Sequence, residues 1–291
     1  MHPAPSLILF TTLSGLGFGL LFWLGTGLIA PIGWAAFVFF GLGYGLAVAG
    51  LLASSTHLGH PERALLAFTQ WRSSWLSREA VLSVAALLIM APHAAGAVFF
   101  ATPLPVLGWA GAALSLATVL ATSMIYAQLK TVPRWHHWST PLVFLVAALA
   151  GGALLTGQLA PAGLLLTLLA VPLAAHWHFG DRRFREAGST PETATGLGAI
   201  GRVRLFEPPH SGGNYLTREM VHVVARRHAA KLRAVALFAG ALVPGLMLGM
   251  APPSYALAAL ALVLHLGGML AARWLFFAEA EHVVGLYYGR R

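Results

Sequence analysis

Apolar positions in this chain do not recur at the spacing of a surface helix or alternate as in a half-buried strand; they fill long, nearly unbroken blocks. Eight such blocks stand out, at about 6–30, 33–56, 80–100, 106–129, 140–157, 162–179, 233–250 and 254–277. Backbone groups inside a bilayer must be satisfied within their own segment, and about 20 residues of helix cross the hydrocarbon. The pattern therefore predicts an all-α integral membrane protein of eight transmembrane helices, forming a single membrane domain over 1–291. Turn residues punctuate the blocks, among them Pro31, the pair Pro103 and Pro105, Gly157 with Pro161, and the pair Pro252 and Pro253. Pro92 and Pro172 lie inside predicted spans, where a missing N–H is expected to kink a helix. The fifth and sixth blocks are the shortest.

Composition agrees with this pattern. Of 291 residues 58% are hydrophobic and 9% charged, and the first full charge is Glu62; a soluble domain carries roughly 25% charged residues. A soluble enzyme is excluded. The chain has no cysteine, which rules out disulfides and thiolate-bound iron–sulfur clusters or zinc within it. The first block is too long for a cleavable secretory signal, and no Lys or Arg precedes it, so it is expected to remain as the first helix. Gly196, Gly198 and Gly201 match a dinucleotide-loop spacing, but they neither follow a predicted strand nor open a βαβ unit. Gly15, Gly17 and Gly19, with Gly41, Gly43 and Gly45, read as close-packing surfaces between helices one and two.

The 18 basic and nine acidic residues fall in alternate connections or near the C-terminus, and the other short connections carry none. With an even number of spans both termini share the charged side, which the positive-inside bias assigns to the cytoplasm of a bacterial inner membrane. The net charge of +9 is then a sidedness effect and not a nucleic-acid-binding surface. One cytoplasmic connection is unusual. Residues 180–232 are too many for a plain helix link. The first half reads as an extended strap containing Arg204, Phe206 and His210. The second half, 215–232, reads as an amphipathic interfacial helix with Thr217 as a candidate N-cap.

Polar chemistry is densest after helix two, in His57-Leu58-Gly59-His60-Pro61-Glu62-Arg63-Ala64 and Gln70-Trp71-Arg72-Ser73-Ser74-Trp75-Leu76-Ser77-Arg78-Glu79. His57 closes helix two, and Glu79 lies in the first turn of helix three with Ser77 as a candidate N-cap. Trp71, Trp75, Arg72 and Arg78 equally suit interfacial anchors. A His and a carboxylate at one membrane surface suit a lipid-soluble quinone (ubiquinone or menaquinone), which takes up protons on reduction. A second cluster runs from Tyr126 to Pro141. In it Tyr126 and Arg134 are candidates for a pocket mouth or a docking contact, with an ordinary aromatic belt as the plain alternative. His93, His265, His176 and His178 are the histidines best placed for a b-type haem, but nothing in their spacing pairs them as axial ligands. Haem is not expected, and no metal site or catalytic residue for substrate chemistry is assigned within the chain.

Met1-His2-Pro3-Ala4-Pro5-Ser6 with Phe10-Thr11-Thr12-Leu13-Ser14-Gly15, His57-Leu58-Gly59, Trp71 through Glu79, and Tyr126 through Pro133 resemble the membrane anchor subunit family of DMSO reductase. The resemblance implies an eight-helix, haem-free anchor that holds a molybdopterin catalytic subunit and an iron–sulfur subunit and exchanges electrons with quinone. It also implies a quinol site at a histidine ending helix two and a glutamate starting helix three, here His57 and Glu79. Arg63, Arg72 and Tyr126 are placed with that site. Trp71, Arg78, Arg134, Arg204, Phe206 and His210 are expected to dock the iron–sulfur partner on the cytoplasmic face. The long basic connection departs from enteric anchors and is more similar to the anchors of cytoplasm-facing sulfite dehydrogenases (sulfite:quinone oxidoreductases). That likeness implies passage of electrons from sulfite oxidation to the quinone pool. The alternative is an anchor of an S-oxide reductase drawing on quinol, with a haem-bearing quinol cytochrome behind it.

Overall fold

The computed structural model describes residues 1–56, 60–207, 212–220, 228–252 and 254–289. All regular structure among them is helical. The principal helices are α1 (Pro5–Gly25), α2 (Gly33–Ser55), α3 (Trp75–Phe99), α4 (Pro105–Ala127), α5 (Ser139–Leu155), α6 (Leu159–Glu186), α7 (Ala229–Met250) and α8 (Tyr255–Ala278). Seven are long and apolar enough to cross a membrane; α5, at 17 residues, is apolar but shorter than the others.

Helix starts follow local chemistry. Pro5 and Pro105 occupy first-turn positions in α1 and α4, where the absent N–H costs nothing. Ser254 caps α8 by accepting from the Leu257 N–H at 3.1 Å. The α3 cap is Ser74, which accepts from the Ser77 N–H at 3.4 Å, and not Ser77 itself. The helix consequently begins a turn earlier than the apolar block does. Pro92 and Pro172 both lie inside continuous helices, α3 and α6.

α1 is the organising element, packed against α2, α4, α5 and α8. The side chains of Phe18, Leu20, Leu21 and Leu24 are sealed at its centre. The expected glycine packing holds in part. A Cβ on Gly17 would run into the Ala47 nitrogen and come within 2.7 Å of the Gly43 oxygen, so the α1–α2 crossing needs glycine there. Gly19 instead abuts the Ala148 carbonyl of α5, while a Cβ added to Gly15, Gly41 or Gly45 would meet nothing within 4 Å. A second bundle of α5, α6, α7 and α8 is held by Leu169, Leu173, Met269 and Leu275. Side-chain bonds cross between helices: Trp23 Nε1 donates to the Leu149 carbonyl at 2.9 Å and the Tyr44 hydroxyl to Leu87 at 2.7 Å. α7 contains a π turn at Phe238–Leu242. That turn presents the Gly240 carbonyl to His265 Nδ1 of α8 at 2.6 Å, at a crossing where Gly240 and Gly268 touch backbone to backbone.

The connection after α6 differs from its expected form. α6 runs on to Glu186, past the predicted end of its span, and a short helix Pro191–Thr195 follows. The connection is tied in places to the chain's own C-terminal segment, while Arg204 and Phe206 stay exposed. Val203 N–H donates to Glu192 Oε1 at 3.1 Å, the Tyr287 hydroxyl to Ala194 O at 2.6 Å, and Asn214 Nδ2 to the Tyr288 hydroxyl at 3.1 Å. Leu216–Met220 is a π turn. Asn214, not Thr217, is its capping residue: Asn214 Oδ1 accepts from the Thr217 N–H and Thr217 Oγ1 accepts from the Asn214 N–H, both at 2.9 Å. Most of the expected interfacial helix beyond it lies outside the described residues.

Candidate functional site

The charged residues gather at one end of the bundle, where α2, α4, α6 and α8 finish and α1, α3, α5 and α7 begin. Glu79 stands one turn inside α3, 4% exposed. Its Oε1 accepts the hydroxyl hydrogen of Thr122 on α4, and Thr122 also lies 3.0 Å from the Thr118 carbonyl of its own helix. A carboxylate this enclosed needs either a proton or donors. Thr122 is the donor the fold provides, and no local sequence signal links two residues so far apart.

Tyr126, one turn further along α4, is buried in an aromatic box. Its ring sits 5.2 Å from Trp135, 5.2 Å from Phe276 and 5.5 Å from Phe277. The box is braced by Trp135 Nε1 donating to the Phe276 carbonyl at 2.8 Å. Tyr126 is thus held inside the bundle, 7% exposed, with these rings around it. Arg273 of α8 approaches the same box with its guanidinium carbon 3.7 Å from the Phe144 ring centre. It is 3% exposed, and its Nε has no hydrogen-bond partner among the described residues. Arg273 falls near the end of the last predicted apolar block, 254–277; in the fold it is a buried cation within that helix.

Arg134 is turned inward as well. Its Nη2 lies 2.6 Å from Asp181 at the end of α6, and its Nη1 lies 3.6 Å from Glu279 beyond α8. Arg233, opening α7, binds the same two acids at 2.7 Å each. Four helix ends are therefore fastened by one network of two cations and two anions. Beside it Ser139 Oγ lies 2.9 Å from His137 Nδ1 and 3.0 Å from His176 Nδ1. Burial, with the Arg183 charge, holds His137 below the usual histidine range. The geometry agrees: its Nδ1 accepts the Ser139 N–H at 3.4 Å and so carries no proton.

The remaining candidate residues lie on the surface of this end. Arg63 and Arg72 are exposed, with Arg72 against the Trp71 ring at 5.5 Å. Arg78 folds back on the connection, donating to the carbonyls of Trp71 at 3.0 Å and Arg72 at 2.7 Å and covering Trp75 at 4.4 Å. Trp71 is 53% exposed and Phe206 88%, with Arg204 exposed nearby in sequence. Exposed Leu65 and Leu66 extend the apolar surface on the short 3₁₀ segment Pro61–Phe68. His57 and His210 lie outside the described residues. Thus the fold brings Glu79 to Thr122, Tyr126 to Phe276 and Phe277, and Arg134 to Asp181 and Glu279, pairings that sequence spacing does not single out. It leaves Arg63, Arg72, Trp71, Arg204 and Phe206 facing outward.

Long apolar helices with ionic chemistry confined to one end define a multi-pass helical membrane protein. The chain belongs to the DMSO reductase anchor subunit (DmsC) family, whose model matches residues 1–173. Membership implies association with the catalytic subunits of a complex of that type. A sulfite dehydrogenase subunit of Allochromatium vinosum is 34% identical over 326 aligned positions, covering 99% of each chain. No solved structure matches.

Proposed function

We propose that this chain is the quinone-interacting membrane anchor of a molybdopterin and iron–sulfur oxidoreductase, passing electrons from sulfite oxidation to the quinone pool. The observation that carries the substrate assignment is the end-to-end similarity to a sulfite dehydrogenase subunit. The family match stops at residue 173, whereas that relative also spans the connection, α7 and α8. In this reading α5 is the eighth span, both termini face the cytoplasm of a bacterial inner membrane, and the iron–sulfur subunit docks on the charged end. The exposed Trp71, Arg204 and Phe206 supply the docking surface, with Arg78 shaping it, Arg134 beside it and His210 in the same stretch, while Arg63, Arg72 and Tyr126 go with the quinone site.

The chemistry of Glu79 and His57 suits a quinone headgroup at that end. Glu79 is a buried carboxylate that can hold or release a proton and is oriented by Thr122, and His57 supplies the imidazole expected to bind a ring oxygen. The charge network at the same end of the bundle ties together the ends of α5, α6, α7 and α8. Quinone reduction consumes two electrons and two protons. The electrons come from the partner's nearest cluster and the protons from the same aqueous side, so turnover moves little net charge across the bilayer. No haem takes part.

The test is to purify the tagged chain from native membranes, identify what accompanies it, and assay the complex with sulfite and with a sulfoxide. Sulfite-dependent quinone reduction supports the reading. Quinol-dependent sulfoxide reduction without sulfite oxidation selects the S-oxide reductase alternative.

A further inference from the structure

A cavity of about 190 Å³ lies at the opposite, uncharged end of the bundle. It is enclosed by the α1–α2 turn, the α3–α4 turn and the facing parts of α2, α3 and α4. Its walls are Phe40, Ala97, Pro103, Pro105 and Trp109, with His93 as its one imidazole. His93 stands fourteen residues along α3 from Glu79, about 21 Å at the helical rise.

The His93 ring is fixed on three sides. Its Nδ1 lies 2.9 Å from the Leu104 carbonyl, and since a carbonyl only accepts, Nδ1 carries the hydrogen. Phe40 meets the ring edge-on at 5.8 Å. Gly108 makes room for it: a Cβ there would come within 2.8 Å of both Nδ1 and Cε1. With the Nδ1 hydrogen committed to Leu104, the ring has one polar atom left, Nε2, which has no partner among the described residues. A helix-packing histidine needs only the first bond. This one also borders a cavity with a polar atom to spare.

Volume and polarity narrow the ligand. An apolar protein cavity of about 150 Å³ holds a benzene ring, so this one accommodates a single aromatic ring. Thr26 Oγ1 is already bonded to the Trp23 carbonyl at 2.8 Å, and no Lys or Arg lines the walls to receive a phosphate. A hydroxyl on that aromatic ring, which can both donate and accept, would bond Nε2. We propose that this cavity binds the ring of a hydroxylated aromatic headgroup, a phenol or hydroquinone, with its O–H donated to His93 Nε2. Trp109, 57% exposed, marks the mouth on the lipid-facing surface. The site is a binding site in the leaflet opposite the charged end; no electron transfer is assigned to it, and it stands whether or not Glu79 serves quinone.

The test uses the full chain in phosphatidylcholine nanodiscs, labelled with a decyl-substituted azidophenol and mapped by mass spectrometry. Label is expected between residues 93 and 109, competed by decylhydroquinone and at least tenfold less well by its dimethyl ether, which lacks the donor. His93→Leu is expected to weaken labelling roughly fivefold or more, about the loss of one hydrogen bond. That variant also loses the Leu104 contact, so Ala30→Phe, at an exposed wall position, provides a second arm and is expected to abolish the label. Label confined to residues 57–79 overturns the proposal. So does label spread over the lipid-facing helices without competition, as acyl-chain affinity alone would give, or equal competition by the ether.

Discussion

Thr122 of α4 donates its hydroxyl to the buried carboxylate of Glu79 on α3, so the acid the sequence singles out is oriented by a neighbouring helix. Removing either partner has separable consequences. Glu79→Gln keeps the shape and the Thr122 contact but cannot release a proton. A general acid–base group of this kind contributes about 10²-fold or more, so quinone-linked turnover is expected to fall at least tenfold with a changed pH profile. Thr122→Val is expected to give a smaller fall, with the carboxylate still present. Steady-state rates across pH in the intact complex check both, and a wild-type profile for Glu79→Gln contradicts a proton role.

The ion network predicts unequal costs for its two acids. Glu279 is nearly enclosed, with 6% of its side chain exposed, whereas Asp181 is 45% exposed. Either substitution leaves each arginine one acid, so no cation is stranded, but contacts of an enclosed group are screened less than those of an exposed one, whose pairs are worth about 0–1 kcal/mol. Glu279→Gln should therefore lower the unfolding midpoint of the purified protein clearly more than Asp181→Asn. Added salt should narrow the gap between wild type and Asp181→Asn only.

Acid sensitivity should originate partly at the charged end. Burial first, and then the Arg183 charge, depresses His137; burial and the N-terminal ammonium depress His282. Each binds its proton less readily folded than unfolded, where the value is near 6.5. Their contribution is thus fully present above about pH 6.5 and is lost as pH falls through the depressed folded values. Thermal midpoints measured from pH 7.5 to pH 5 should decline, and less steeply in His137→Gln.

The α1–α2 crossing gives a packing prediction with its own control. Gly17→Ala drives a methyl into the Ala47 backbone, while Gly41→Ala meets open space. Overpacking costs roughly 1–3 kcal/mol, so Gly17→Ala should reduce folded yield and thermal stability, with Gly41→Ala close to wild type.

Much of this architecture is readable in the chain because the bilayer leaves few options. Blocks free of charge must become helices, and the alternation of charged connections arranges their ends. Boundaries moved where a short-range bond decided them: Ser74 caps α3 ahead of its apolar block, and α6 outruns its block on Arg182, Arg183 and Arg185. What sequence spacing does not reveal is partnership across helices. Glu79 with Thr122, Arg134 with Asp181 and Glu279, and His265 with the carbonyl freed by the π turn join residues distant in the chain. Arg273 lies inside the last apolar block, and the arrangement of Phe144 and Tyr126 around it shows a buried cation.

The measurement that bears most directly on the account compares two activities of one purified complex carrying His57→Ala. Sulfite oxidation with a water-soluble acceptor such as ferricyanide should continue at the wild-type rate, showing that the partners remain assembled. Sulfite-dependent quinone reduction should be abolished. Quinone reduction at the wild-type rate in that intact complex would contradict the assignment of quinone chemistry to this end of the membrane subunit.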